Sequence, residues 1–169
     1  IPGSVTISAE TINLNNNVTS TGDQTYNGAV RLGANVTAAG QDVTFSGTVN
    51  GAFGLTVNTS GNGVTTFTGT VGSTIALASL TTNADGTLLI NGGTVTTTGA
   101  QTYNENLTFG TNTILAGSTV TFNGNLAGGS NDIIINATTT VLGNSATDTV
   151  TGVGTLTTNA TGTTTINSG

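Results

Sequence analysis

The chain has 169 residues, of which only 5% are charged, and its formal net charge is −6. It contains a single basic residue and neither His nor Cys. Such a composition excludes a nucleic-acid reader, which neutralises phosphates with Lys and Arg, and it argues against docking on anionic lipid. It also excludes the usual zinc and copper sites, and no apolar run reaches the ~18 residues that membrane insertion requires.

Short segments in which apolar and polar residues alternate follow one another along the whole chain, and most carry β-branched or aromatic residues. In chain order the clearest lie at 5–7, 12–14, 30–32, 43–45, 55–57 and 120–122. This period of two indicates strands with one buried face, while the Gly, Asn, Asp and Ser between them favour turns. Because apolar residues do not recur at helical spacing, the chain is predicted to be all-β.

A long internal repeat organises these segments. The tetrapeptide Gln-Thr-Tyr-Asn occurs at 24–27 and again at 101–104, which is 77 positions later, whereas residues 80–84 match 156–160 at a spacing of 76. Turns absorb such single-residue slips and packed strands do not, so the pattern predicts stacked units joined by turns. We interpret residues 1–169 as one domain. Its two super-repeats and a partial third span 5–79, 80–155 and 156–169.

Each super-repeat divides at its turns into four units of 18–21 residues, a length typical of one coil of a parallel β-solenoid. Eight to nine coils are expected, stacked about 4.8 Å apart. Units this short cannot bury an apolar face alone, but stacking produces a continuous core with the flanking strand residues inside and the middle residue, usually Thr, outside. A β-sandwich, whose short strands are similarly spaced, is the structural alternative.

Two phrases of the repeat, Leu-Gly-Ala-Asn-Val-Thr at 32–37 and Thr-Val-Thr-Thr-Thr-Gly at 94–99, accompany a bias towards Thr, Asn, Gly and Val. In these features the chain resembles the repeats of filamentous-haemagglutinin-type adhesins, the two-partner-secreted and autotransporter-like surface proteins of Gram-negative bacteria. The resemblance implies a right-handed parallel β-helix outside the cell, in the shaft of a long adhesin. The opening Ile1-Pro2-Gly3, without Met, fits an excised segment of a longer protein.

Groups that could perform chemistry are sparse. Ser and Thr are abundant, but no His or Lys is present to activate one, so we predict no catalytic residue, no cofactor site and no enzyme. Arg31 is interpreted as a surface residue. The turn at 128–132 resembles a calcium-binding repeat but lacks its third Gly, so no metal site is predicted. We interpret the isolated acidic residues as solvated turn residues: Glu10, Asp23, Asp42, Asp85, Glu105, Asp132 and Asp148.

Tyr26 and Tyr103 are the candidate surface-contact residues. They lie one super-repeat apart, which corresponds to about four coils and the same side of the rod, where aromatic rings would stack on a glycan. The alternative is that each ring closes the core beside a turn with its hydroxyl in water. An ice-binding face would need Thr-x-Thr at one place in every coil, and the units do not supply it.

We therefore expect a non-enzymatic structural shaft that projects a tip from the bacterial cell surface. The alternative is a self-assembling subunit of an extracellular filament or sheath, because solenoid ends are unpaired strand edges. A further alternative is a glycan-binding solenoid. The expected partners are neighbouring repeats, copies stacked end to end, or a glycan or other host-surface ligand, with neither nucleic acid nor membrane insertion.

Overall fold

The computed structural model describes residues 3–159 and 161–167, which form nineteen β-strands and no helix. Every strand pair in this part of the chain is parallel. The described residues therefore contain no helix able to span a bilayer. The predicted all-β parallel solenoid is confirmed, and the β-sandwich is wrong because its sheets would be antiparallel.

The strands occupy most of each coil. They are β1 (Val5–Leu14), β2 (Val18–Thr19), β3 (Gln24–Leu32), β4 (Val36–Ala39), β5 (Val43–Phe45), β6 (Val49–Asn50), β7 (Gly54–Asn58), β8 (Val64–Phe67), β9 (Ser79–Thr82), β10 (Thr87–Ile90), β11 (Thr94–Thr96), β12 (Ala100–Tyr103), β13 (Asn106–Phe109), β14 (Thr113–Phe122), β15 (Leu126–Ala127), β16 (Ile133–Leu142), β17 (Val150–Thr151), β18 (Leu156–Thr158) and β19 (Thr163–Ile166).

Each coil has three faces, named A, B and C here, and paired residues of consecutive coils lie directly over one another. Face A runs through Val5, Gln24, Val43, Thr65, Leu88, Leu107, Leu126 and Val150. Face B runs through Ile12, Val30, Val49, Val71, Val95, Leu115, Ile135 and Thr158. Face C runs through Val18, Ala38, Val57, Thr82, Tyr103, Phe122, Leu142 and Ile166. The ladders define about eight coils.

Backbone hydrogen bonds group the strands into two long sheets. The first has the order β1-β3-β5-β8-β10-β13-β15-β17, with β6 beside β3. The second has the order β18-β16-β14-β12-β9-β7-β4-β2, with β11 beside β14 and β19 beside β16. The longest strands, β1, β3, β14 and β16, continue round a corner between two faces, so face B is shared between the sheets.

The core is a column of apolar side chains inside the coils. In β5, Val43 and Phe45 are buried while Thr44 between them is half-buried and points outward, as the period of two predicts. On face A the rings of Tyr26, Phe45 and Phe67 stack with centroids 4.9 and 5.2 Å apart and planes within 8° of parallel. Because the same strand position recurs one coil away, like side chains meet like.

The coils are less uniform than the sequence predicts. The step to the next coil is 18 residues from Ile12 to Val30 but 25 residues from Leu55 to Leu80. The expected range of 18–21 residues is therefore too narrow for some coils. Extra residues lie in the corners, for example at 72–76, because a corner tolerates an insertion that would move a strand out of register.

The super-repeat does not contain a whole number of coils. Gln24 lies on face A of the second coil, whereas Gln101 lies on face C of the fifth. The 77-residue repeat thus takes the chain through three coils and two further faces. The prediction that Tyr26 and Tyr103 lie on the same side, four coils apart, is wrong. The same motif fits two faces because every face offers an inward strand followed by a corner.

Replacing Phe45 with Ala is expected to lower the free energy of unfolding by about 3–5 kcal/mol, because a buried ring stacked between two others leaves a cavity. Phe53→Ala is the matched control, since its ring is 37% exposed; its effect should stay below about 1 kcal/mol. Urea unfolding followed by circular dichroism measures both. Equal losses in the two variants would contradict a stacked core.

Candidate functional site

Tyr26, the first candidate surface residue, is fully buried on face A. Its hydroxyl donates to Gln24 Oε1 at 2.7 Å. Gln24 Nε2 in turn donates to the carbonyl oxygens of Ala39 at 2.7 Å and Val18 at 3.1 Å, and to Ser20 Oγ at 3.1 Å. Gln24 and Tyr26 lie two positions apart in one strand, so both point inward. The pair satisfies polar groups where the chain turns the corner into face A.

The same network surrounds Tyr103 on face C. The Tyr103 hydroxyl donates to Gln101 Oε1 at 2.8 Å. Gln101 Nε2 donates to the carbonyl oxygens of Ala116 at 2.8 Å and Val95 at 3.2 Å, and to Thr97 Oγ1 at 3.3 Å. Each partner stands 77 positions after its counterpart in the first network. The repeat therefore reproduces a complete set of buried hydrogen bonds.

Neither ring is available to stack on a glycan, so the prediction of surface contact at Tyr26 and Tyr103 is wrong. The alternative that their hydroxyls reach water is also wrong, because each donates to a buried Gln. Burial raises the pKa of Tyr26 to about 12, and it raises the pKa of Tyr103 as well. A signal was present in the sequence: a Gln at an inward strand position needs a buried partner, and Tyr two residues later supplies one.

Most acidic side chains act at corners, where they join adjacent coils. Asp42 Oδ1 accepts a hydrogen bond from the Val64 N–H at 2.8 Å, and Asp23 Oδ1 accepts one from the Asp42 N–H at 3.3 Å. Asp132 Oδ1 accepts from the Thr155 hydroxyl at 2.8 Å. A corner N–H is turned away from the strand ladder and needs another acceptor. These carboxylates are distributed along the rod and do not converge on one point.

Asparagine side chains make the same contact at other corners. Asn106 Oδ1 accepts from the Asn125 N–H at 2.9 Å, and Asn125 Oδ1 accepts from the Thr149 N–H at 2.8 Å in the following coil. Asn and Asp suit this role because a short side chain brings an oxygen close to the backbone. The abundance of Asn in the chain therefore has a structural cause.

The turn at 128–132 is filled by one of its own side chains. Asn131 Nδ2 donates to the carbonyl oxygens of Phe109 and Gly128, both at 2.9 Å. Those oxygens are of the kind that a calcium ion would use, and an amide already occupies them. Among residues 3–159 and 161–167, no group of three or more His, Cys, Asp or Glu is placed to hold a metal ion.

Arg31 lies on the outer side of β3 and is exposed. It borders a groove of about 200 Å³ together with Thr11, Asn50 and Ile75. The residues that line this groove include no carboxylate, so no acid–base pair forms around Arg31 there. This position agrees with its interpretation as a surface residue.

Glu105 departs from the interpretation of the acids as solvated turn residues. Its side chain is 3% exposed at the corner between faces C and A, and neither carboxylate oxygen has a hydrogen-bond partner among the described residues. Thr82 Oγ1, one coil away, is likewise buried without a partner. Burial raises the pKa of Glu105 to about 7, and the negative charge of Asp85 adds to the rise. No feature of the neighbouring sequence distinguishes this acid from an exposed one.

Comparisons of the chain with family models, with curated proteins and with solved structures found no match. The resemblance to filamentous-haemagglutinin-type repeats therefore stays a prediction. The geometry of the coils is what remains to indicate a function.

The stability of the fold is expected to fall as the pH rises from about 4.5 to about 7. Glu105 binds its proton more tightly in the folded chain than in the unfolded chain, where its pKa has the ordinary value of 4.5. The contribution of Glu105 to the free energy of unfolding should therefore be greatest below pH 4.5 and about 3 kcal/mol smaller well above pH 7. Glu105→Gln cannot ionise and should lose this fall. Thermal unfolding across the same pH range measures the difference.

Glu10→Gln is the matched control, because Glu10 is exposed on β1. This variant should keep the pH profile of the unsubstituted chain. If Glu105→Gln kept that profile too, the buried carboxylate would not be the source of the pH dependence.

Proposed function

We propose that the chain is a non-enzymatic structural module: a stiff shaft of an extracellular bacterial adhesin or exoprotein, which holds a tip away from the cell surface. The observation that carries this proposal is the unbroken stack of about eight coils around one apolar column. A stack of this kind gains length in proportion to the number of coils without any change in cross-section. Such geometry suits a spacer.

Resistance to bending comes from the density of bonds between coils. Parallel ladders link each coil to the next on its faces, and corner side chains such as Asp42 and Asn125 add further links. Opening one coil therefore breaks backbone bonds, side-chain bonds and core contacts together. Cooperation of this type between neighbouring repeats supports a mechanical role.

The use of the polar groups also supports a structural role. The two buried Gln–Tyr pairs satisfy their own corners, and Asp23, Asp42 and Asp85 each accept a hydrogen bond from a backbone N–H of an adjacent coil. The hydrogen bonds of these Gln, Tyr and acidic side chains therefore stabilise the rod itself. The proposed location is outside the cell, and the resemblance to secreted adhesin repeats supports it.

A subunit of a self-assembling filament is the second candidate, and it would use the edge of the last described coil. There Ile166 occupies an inward position of face C, and its side chain is 66% exposed because β19 pairs only with β16 among the described strands. Another coil on this edge, from a second copy or from more of the same chain, would cover the apolar side chain and continue the ladders. Sedimentation over a concentration series distinguishes the candidates, since a shaft stays monomeric whereas a filament subunit forms larger assemblies as its concentration rises. The Ile166→Asn variant should form fewer of these assemblies.

The shaft proposal predicts that the chain keeps its length under load. A single molecule held between handles at its two ends should stay folded at low force and then lengthen in steps. One coil of 18–25 residues, once extended, adds about 60–90 Å. Phe45→Ala should begin to lengthen at a lower force because it weakens the core, whereas Phe53→Ala should match the unsubstituted chain. Optical-tweezers extension records provide the measurement.

Two results would contradict the proposal. The first is smooth extension without steps from the lowest force, which would mean that the coils do not resist load. The second is an opening force that is the same in Phe45→Ala and in the unsubstituted chain, which would mean that the stacked core does not bear the load.

A further inference from the structure

A groove of about 490 Å³ lies on face C, outside the core. It crosses the first four coils, a span of roughly 14 Å along the rod. Its volume is within the range of about 300–1,000 Å³ typical of small-ligand sites. The polar residues and the glycine along it are Asn17, Asn35, Thr37, Gly54, Thr56 and Ser79.

The groove exists because neighbouring coils differ on this face. Gly54 stands at an outward position of β7, and a Cβ there would lie 2.9 Å from Ser79 Oγ and 3.5 Å from Asn35 Oδ1. The absent side chain leaves the floor open. In the next coil the residue paired with Gly54 is Ser79, the first residue of β9, and its side chain forms a wall of the groove.

Polar groups without protein partners face this space. Asn17 Oδ1 and Asn35 Oδ1 each accept from a backbone N–H of the next coil, at 2.8 Å, which fixes both side chains and leaves their Nδ2 groups free. Within the described residues, the hydroxyls of Thr37, Thr56 and Ser79 make no hydrogen bond to the protein. Two amide donors and three hydroxyls therefore converge on one groove.

The lining is uncharged. None of its residues is Asp, Glu or Arg, whereas the smaller groove at Arg31 carries a cation. An anionic ligand would find no counter-charge here, and an apolar one would leave donors and acceptors unpaired. A neutral ligand with many hydroxyls pairs with both amides and hydroxyls, and the Ala78 methyl group adds a small apolar contact for the C–H surface of a sugar ring.

We propose that this groove binds a short stretch of a neutral glycan, with the sugar chain lying along the rod between Asn17 and Ser79. The amide groups of Asn17 and Asn35 donate to sugar oxygens, and the three hydroxyls donate or accept as the sugar requires. The proposal adds a ligand to the solenoid and does not depend on the shaft role. It also places carbohydrate binding away from the buried tyrosines.

The test is a titration of the isotope-labelled chain followed by amide chemical shifts. The probes are neutral hexasaccharides of glucose, galactose, mannose and N-acetylglucosamine at millimolar concentrations, with hexagalacturonate as the acidic comparison. At least one neutral probe should shift the amides of Thr37, Thr56 and Ser79 in a saturable manner, while hexagalacturonate should not.

Two variants and a control define the site. Gly54→Ala places a methyl group on the floor of the groove, and Thr56→Val removes a hydroxyl while keeping nearly the same side-chain shape. Each variant should weaken glycan binding by roughly three- to tenfold. Thr121→Val changes the same outward ladder three coils away and should leave the affinity unchanged. Unfolding curves of all three verify that they are folded.

The proposal is overturned if no neutral probe shifts these amides, if hexagalacturonate binds as well as the neutral sugars, or if Thr121→Val weakens binding as much as the groove variants do. Shifts spread along the whole outward Thr ladder would also overturn it, because they would indicate a non-specific surface effect.

Discussion

The in-register pairing of each coil with the next is the constraint on which the rest of the structure depends. Once residues of equal character lie one coil apart, apolar side chains form a column, rings such as Tyr26 and Phe45 stack, and outward threonines form ladders. Register also decides where the chain can vary. Insertions collect in corners, because an extra residue within a strand would turn its buried side chains outward.

In a rod with a narrow core, each inward polar side chain needs hydrogen-bond partners of its own. Gln24 and Gln101 are tolerated because a tyrosine and corner carbonyl oxygens satisfy each amide. Glu105 lacks such partners, and the cost of burying its charge appears as a raised pKa. Corner acids avoid this cost by accepting hydrogen bonds from the adjacent coil, as Asp42 does.

The sequence was sufficient for the fold, because alternation with a period of two, turn residues and a long repeat all depend on local chemistry. It was insufficient for the position of each strand around the rod. Corner lengths differ, so the repeat that separates Tyr26 from Tyr103 spans three coils and two further faces, and it moves the motif from face A to face C. The buried state of Glu105 and the groove over Gly54 depend on contacts between coils, which sequence spacing does not specify.

Cysteine cross-linking tests the central claim, the register between coils, most directly, and the chain has no Cys of its own to interfere. Thr56 and Thr81 are paired outward residues 25 positions apart, so their Cα atoms lie about 4.8 Å from each other. Thr56→Cys with Thr81→Cys should therefore oxidise to a disulfide. Thr56→Cys with Thr102→Cys should not, because two coils separate their Cα atoms by about 9.6 Å, beyond the ~7 Å limit of a disulfide. Failure of the first pair, or equal oxidation of both, would contradict the stacked coils.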